Sequence, residues 1–275
     1  PEKIYHPEDY QYRLAAVIDE LAFEYRNNNI LFVLPGKGIY EINRKGKIIW
    51  EHLDKNVSHD ADRLPNGNTL YVFGNDDKKG DNILKEVDPR GNLVWSWSAE
   101  KEFNRKPYKD IFDHGWTHAN AVTRLKNGNT LVCLRNFLLV VEVNPEGEIV
   151  WSYDCSAYGN DTSPHEPEII PNGHMLIALQ NDSPYQVVEI DRKTKKPIWE
   201  FYYPNLRTCR DADRLLNGNT LIVGVITGVE ESTMIEVTPQ KEVVWKLSLK
   251  GIPSRLTRWT PGWFYKAERI SSTKD

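Results

Sequence analysis

Short runs of alternating or β-branched apolar residues, each ended by a polar turn, recur along this chain. Leu64-Pro65-Asn66-Gly67-Asn68-Thr69-Leu70 returns as Leu125-Lys126-Asn127-Gly128-Asn129-Thr130-Leu131. It returns again as Ile170-Pro171-Asn172-Gly173-His174-Met175-Leu176 and as Leu215-Leu216-Asn217-Gly218-Asn219-Thr220-Leu221. Asn27-Asn28-Asn29-Ile30-Leu31 is a degraded fifth copy. Asn and Gly tolerate the positive φ of a tight hairpin, so each copy reads as strand, turn, strand. Within residues 58–98 the pattern predicts strands at Ala61–Leu64, Thr69–Phe73, Ile83–Val87 and Leu93–Trp97, with a second turn at Asp88-Pro89-Arg90-Gly91-Asn92. Four antiparallel strands per repeat is the unit of a β-propeller.

A second marker closes each repeat: Trp50, Trp95, Trp151, Trp199 and Trp245, spaced by 45 to 56 residues. That period belongs to propeller blades. Phe264-Tyr265-Lys266-Ala267-Glu268-Arg269-Ile270 matches the first strand of a repeat, Ser58 to Leu64, and stands without the rest of one. The expectation is an all-β propeller of five blades, with this C-terminal strand completing the first blade and removing an open sheet edge. Six blades stay open if residues 1–28 build another. Otherwise 1–28 is an N-terminal extension packing on the propeller, with Tyr12 to Tyr25 equally readable as helix, and 29–275 is a single propeller domain. The longest spacing comes from an insertion, Ala99 to Trp116, rich in charge and aromatics. It leads into the inner strand of the third blade and is a candidate lid over one mouth of the channel.

Composition narrows the partners. A formal net charge of −4 gives no electrostatic reason to expect nucleic acid. No apolar run approaches the ~18 residues of a membrane span, and no export-signal pattern is visible at the start, so the expectation is a soluble protein. Cys133, Cys155 and Cys209 are too few and too irregular for a disulfide framework, although pairing of Cys155 with Cys209 stays open.

A fold repeated five times needs its scaffold residues five times, whereas a site on the axis is singular. The Asn-Gly turns and the tryptophans therefore read as scaffold. So do the aligned acids Asp62, Glu168, Asp213 and Glu268 with their neighbours Arg63, Arg124, Arg214 and Arg269, taken as inter-blade ion pairs. Three residues before the aligned acid the identity varies: His59, Asn120, His165, Arg210 and Tyr265. These begin the inner strands and so converge on one mouth of the channel. His118 lies two before Asn120, on the same face of an ideal strand. Arg135 is a singular arginine where other copies have Gly74, Gln180 and Val225. Imidazoles serve as nucleophiles and acid–base groups near neutral pH, and guanidinium forks clamp oxyanions. Neutral imidazoles also bind zinc or copper, so His59, His118 and His165 as ligands of a metal-dependent lyase or hydrolase stay open. A non-catalytic propeller binding a small anion or a protein stays open too.

At these residues the chain resembles the bacterial arylsulfotransferases, the aryl-sulfate sulfotransferases that work without PAPS. Trp116-Thr117-His118-Ala119-Asn120 followed by Leu134-Arg135-Asn136 is similar to their W-x-H-x-N segment and the strand end beyond it. His59-Asp60 ahead of Leu64-Pro65-Asn66-Gly67-Asn68, and His165 ahead of Ile170-Pro171-Asn172-Gly173, match two further histidine elements. The resemblance covers roughly residues 29–270. It implies a sulfuryl group carried from an aryl sulfate to a phenol on a channel histidine. His165 would be the nucleophile, with His59 and His118 as acid–base or sulfate-binding groups. Asn120 and Arg135 would stabilise charge; the resemblance assigns no role to Arg210, which with Tyr265 and Trp116 is expected, from its place at the channel mouth, to help bind an anionic aromatic substrate. No cofactor and no metal are expected in this reading. Relatives are typically periplasmic, usually have six blades, and carry an N-terminal domain that this chain is expected to lack.

Overall fold

The computed structural model describes residues 23–26, 29–180, 184–226, 231–249 and 265–269. Their strands form five antiparallel four-stranded sheets, arranged as the blades of a propeller. Blade I runs from Phe23–Arg26 to Ile48–Leu53, and blade II from Ser58–Arg63 to Leu93–Trp97. Blade III runs from Ala119–Arg124 to Ile149–Asp154, blade IV from Ser163–Ile169 to Lys196–Phe201, and blade V from Leu206–Arg214 to Val243–Leu249. In blades II to V the first strand lies innermost and the Asn-Gly turn joins it to the second.

The apolar cores lie between blades. Leu70, Val72 and Trp97 of blade II pack with Val122, Val132 and Val141 of blade III. Comparable clusters join III to IV and IV to V. A repeated polar cassette clips the same interfaces. The indole N–H groups of Trp50, Trp95, Trp151 and Trp199 donate to carbonyls of the next blade at Pro89, Pro145, Arg192 and Pro239, all at 2.9–3.0 Å. Arg63 and Arg124 stack on Trp50 and Trp95 of the preceding blade.

The aligned arginines pair across blades with glutamates of third strands, and the Arg214 N–H also donates to the aligned acid Glu168 at 2.8 Å. Arg63 meets Glu41 at 2.9 Å, Arg124 meets Glu86 at 2.7 Å and Arg214 meets Glu189 at 2.7 Å, each glutamate lying on the third strand of the preceding blade. Adjacent residues of a strand face opposite ways. The arginine therefore turns to the neighbouring sheet while the acid before it turns to the channel.

Two features refine the expected ring. Residues 265–269 stand next in the ring after blade V. The Ala267 N–H donates to Asp211 at 2.7 Å, as the Val122 N–H donates to Asp60 at 2.8 Å, and Arg269 meets Glu236 at 3.2 Å. The fourth strand hydrogen-bonded into blade I, however, is Phe23–Arg26, paired with Asn29–Leu34. Tyr25 is thus in a strand, and residues 1–22 lie outside the described residues. The three cysteines are free and buried, so the pairing of Cys155 with Cys209 does not form. Cys155 packs between blades III and IV and Cys209 between IV and V, which keeps them in separate cores.

Candidate active site

The inner strands do not begin as ideal strands. Pairing slips between Ser58 and Ala61 in blade II, between His165 and Glu168 in blade IV, and between Arg207 and Asp211 in blade V. His59 and His118 sit at positive φ, 43° and 46°. Such backbone is costly for a non-glycine residue and persists only where its surroundings hold it. The effect is to swing both imidazoles to the mouth of the channel instead of alternating along the sheet.

There they meet. His59 Nε2 lies 3.3 Å from His118 Nε2, and a guanidinium nitrogen of Arg135 lies 2.9 Å from the same His118 atom. A cavity of about 390 Å³ is lined by His59, His118, His165, Arg135, Arg210 and Tyr265. Six predicted residues from blades II to V and the 265–269 segment are thereby brought together. Arg210 stacks over the Tyr265 ring at 5.1 Å. Gln180, Asn75, Asp76 and His114 complete the lining and were not expected. Gln180 carried a signal, since it aligns with Arg135 at the end of a second strand.

Two predicted residues lie elsewhere. Asn120 is buried outside the cavity lining, and its amide donates to the Pro164 carbonyl at 3.1 Å. It ties blade III to the residue before His165. Trp116 is also buried outside the lining, donating its indole N–H to Tyr108 and packing on Phe137. The positive φ at His118 breaks the two-residue alternation that would have kept these side chains together.

The insertion leads over this mouth. A single helical turn, Glu100–Phe103, and the Tyr108 ring pack on Phe137, and Asp113 and His114 are carried to the cavity edge. The Asp113 carbonyl lies 3.2 Å from His118 Nδ1, and its carboxylate 3.5 Å from Arg135. Behind them, fully buried Asp77 accepts hydrogen bonds from the Thr117 N–H and hydroxyl and from the His118 N–H, at 2.9–3.0 Å. Burial pushes this carboxyl up to about 6 even though those donors pull it down. Gly115, at φ 145°, makes the approach possible: a side-chain carbon there would stand 2.4 Å from the Asp77 carboxylate.

The protonation pattern follows from burial among cations. Burial and then the Arg135 charge hold His118 at about 4, against the opposing pull of Asp113. Burial, then Arg210 and Arg135, depress His165 well below the usual imidazole range. His59 is depressed likewise by burial and by the facing His118 and His165. All three are therefore neutral at neutral pH. With Nδ1–H of His118 donating to Asp113, its Nε2 lone pair faces Arg135. With Nδ1–H of His165 donating to the Ser163 carbonyl at 3.3 Å, its Nε2 is left with no hydrogen-bond partner among the described residues.

A metal fits this arrangement poorly. Among the described residues no group of three or more His, Cys, Asp or Glu is placed to hold a metal ion. Arg135 also points its charge at the His118 lone pair that a metal would need. What stands at the cavity is instead a set of neutral imidazoles beside two guanidinium groups.

Comparison with known proteins agrees on fold and family. A protein of unknown function from Bacteroides caccae superposes with a TM-score of 0.62 at 19% identity, over 87% of this chain and 84% of its own. Kuenenia stuttgartiensis hydrazine synthase gives 0.58 at 14% identity, over 89% of this chain and 70% of its own. Virginiamycin B lyase from Staphylococcus aureus gives 0.54 at 13%, over 86% and 71%. At such identities these likenesses speak for the propeller alone. A search of curated proteins found no significant match. No helix among the described residues is long and apolar enough to cross a membrane. The profile of the arylsulfotransferase (ASST) family matches residues 3–163, more than half of the sequence and including His59, His118 and Arg135, and the chain belongs to that family.

Proposed function

We propose that this protein transfers a sulfuryl group from an aryl sulfate to a phenolic acceptor through His165. The observation that carries the reading is the state of that imidazole. It is neutral, its Nδ1 is engaged with Ser163, and its Nε2 is unpartnered at a cavity carrying Arg135 and Arg210.

In this reading the two guanidinium groups hold the sulfate oxygens. His165 Nε2 attacks sulfur, the aryl oxygen–sulfur bond breaks, and the aryl oxide leaves with the bonding pair. Charge building on the oxygens and on the leaving group is met by the positive charges of Arg135 and Arg210. An acceptor phenol then gives its proton to a neutral imidazole, His118 or His59, and its oxygen displaces His165 from sulfur. The depressed pKa values support the base role, because both groups enter the second half-reaction unprotonated. Asn120 and Trp116 act from behind, through Pro164 and the insertion.

The test is incubation with 4-nitrophenyl sulfate, following nitrophenol release and intact mass together. Release with an adduct of ~80 Da, one sulfuryl group on the nucleophile, supports the reading when His165→Ala loses both. Release without an adduct, or an adduct retained in His165→Ala, removes His165 from the nucleophile role. Tight retention of the aryl sulfate with no release favours an anion-binding propeller.

A further inference from the structure

Of the three histidines at the mouth, His118 is the one that its sheet does not hold. His59 lies within Ser58–Arg63, and His165 lies within Ser163–Ile169, paired with Ala178. His118 stands one residue ahead of Ala119–Arg124, whose first paired residue is Ala119. Its backbone is at φ 46°, a conformation that is costly for a non-glycine residue and that no ladder pairing enforces. Yet its imidazole is closely placed, 3.3 Å from His59 and 2.9 Å from Arg135. Something other than the ladder must fix it.

Asp77 supplies that constraint. It comes from the loop after the second strand of blade II, Thr69–Val72, and is wholly buried. Its Oδ1 accepts the His118 N–H at 3.0 Å. Its Oδ2 accepts the Thr117 N–H at 3.0 Å and the Thr117 hydroxyl at 2.9 Å. The same hydroxyl accepts the Ala119 N–H at 3.2 Å, which extends the grip over three consecutive residues. An amide in this place would turn one oxygen into a donor, whereas an ionised carboxylate presents two acceptors and no donor. The main chains are strapped together as well. The Asp76 N–H donates to the His114 carbonyl and the Trp116 N–H to the Asp77 carbonyl, both at 2.8 Å. A side-chain carbon at Gly115 would also stand 2.4 Å from the Gly74 carbonyl, so loop and insertion approach this closely only because glycine lies between them.

The carboxylate is not half of an ion pair. Among the described residues no cation pairs with it, and the donors that meet it are uncharged. Taking a carboxylate out of water without a counter-charge is expensive. What this one secures is the geometry of a single strand start, where the donors of Thr117 and His118 converge on it.

From this arrangement we infer that Asp77 is a positioning residue of the histidine mouth, acting through the Thr117–His118 backbone to hold the His118 imidazole against Arg135 and His59. Its effect on turnover rests on the sulfuryl-transfer reading. Its effect on the His118 ring rests on the geometry alone.

Two readouts test it. In the first, Asp77→Ala and Asp77→Asn are loaded with 4-nitrophenyl sulfate, and turnover with a phenol is expressed per sulfuryl-labelled site, which removes any misfolded fraction. Turnover per site should fall about 10²-fold in Asp77→Ala, the scale for a misplaced catalytic group. Asp77→Asn keeps one acceptor oxygen and should fall between Asp77→Ala and the wild type. In the second, NMR of isotope-labelled histidine compares two rings in the resting protein. The His118 Nδ1–H signal, held by the Asp113 carbonyl, should be lost to exchange in Asp77→Ala, and the His165 Nδ1–H signal, held by Ser163, should persist. A role in folding alone would weaken both together. Should Asp77→Ala not fold, Thr117→Val removes only the hydroxyl from the clamp, and its turnover per site should fall about fivefold, the net worth of one hydrogen bond. Wild-type turnover per site in Asp77→Ala, or in Thr117→Val where that variant stands in, would overturn the inference. So would an unchanged His118 signal in Asp77→Ala, or joint loss of the two ring signals. Absence of a sulfuryl adduct on the wild type would remove the sulfuryl-transfer reading instead, and the ring signals would still decide the role of Asp77.

Discussion

The two mouths of this propeller are built from the same five strand starts and differ completely in charge. At one, His59, His118 and His165 are held neutral beside Arg135 and Arg210. At the other, Glu166 and Asp213 are pushed up to about 7 and about 8. Low dielectric penalises whichever charge is in excess, so each end drives its titratable groups towards neutrality from the opposite side. Only one to three residue steps separate the two, so an inner strand supplies a histidine or arginine to one end and an acid to the other. The lesson is that a repeat fixes positions and leaves their chemistry free, and the axis is where that freedom is spent.

The largest expected effect is at the histidine mouth. His165→Ala should lower turnover on an aryl sulfate by about 10⁴-fold or more, as for loss of a covalent nucleophile, with the thermal transition little moved. A steady-state assay with 4-nitrophenyl sulfate checks it, and Asp213→Asn in the same assay should match the wild type. If both variants lost activity alike, the division between the mouths would be lost.

Arg135→Ala should cost about 10²–10³-fold in kcat, the range for removal of one donor to a developing oxyanion. The same change should weaken the binding of product sulfate. Next comes the interface that serves both ends. Trp151 is half-buried, donates to the Arg192 carbonyl and lies under the Arg192 guanidinium. Trp151→Ala should destabilise by about 3 kcal/mol, the low end for truncation of a large aromatic, seen as a lower midpoint in denaturant.

A subtler test uses pH. The histidines are depressed in the fold, so below their unfolded value near 6.5 the unfolded chain binds more protons and stability falls as pH falls, until about 4 for His118. The carboxyls are raised, so above their unfolded values the folded chain binds more protons. Their contribution is lost as pH rises, until about 7 for Glu166 and about 8 for Asp213. Thermal midpoints measured across this range should flatten on the acid side in a His118→Asn variant and on the neutral side in Asp213→Asn. The smallest effect is Asp213→Asn at pH 8, a gain of about 1 kcal/mol or roughly 2–4 °C, since an unfavourable charge is removed.

Much of this was legible in the sequence. The Asn-Gly turns and the spaced tryptophans gave five blades of four strands, because a scaffold repeated five times writes itself five times. The variable position gave His59, His165, Arg210 and Tyr265 one mouth, and alignment of second strands singled out Arg135. Asn120 and Trp116 were misplaced because strand alternation assumes a regular backbone, and His59 and His118 depart from it at positive φ. Asp77 was invisible for another reason. In Asp76-Asp77-Lys78-Lys79 it reads as a solvated turn, and only the fold reveals that its carboxylate is buried under the His118 backbone. The inter-blade pairing of the arginines was legible, but their glutamate partners on the third strands were not, because those glutamates stand outside the aligned acid position.

The most direct test of the account is to locate the sulfuryl group. After brief exposure to 4-nitrophenyl sulfate, peptides should be prepared at mildly alkaline pH and sequenced by tandem mass spectrometry. The account predicts an added mass of ~80 Da, one sulfuryl group on an imidazole, on His165 and discharged by a phenol. The same mass on His59 or His118, or on a residue outside the histidine mouth, would contradict it.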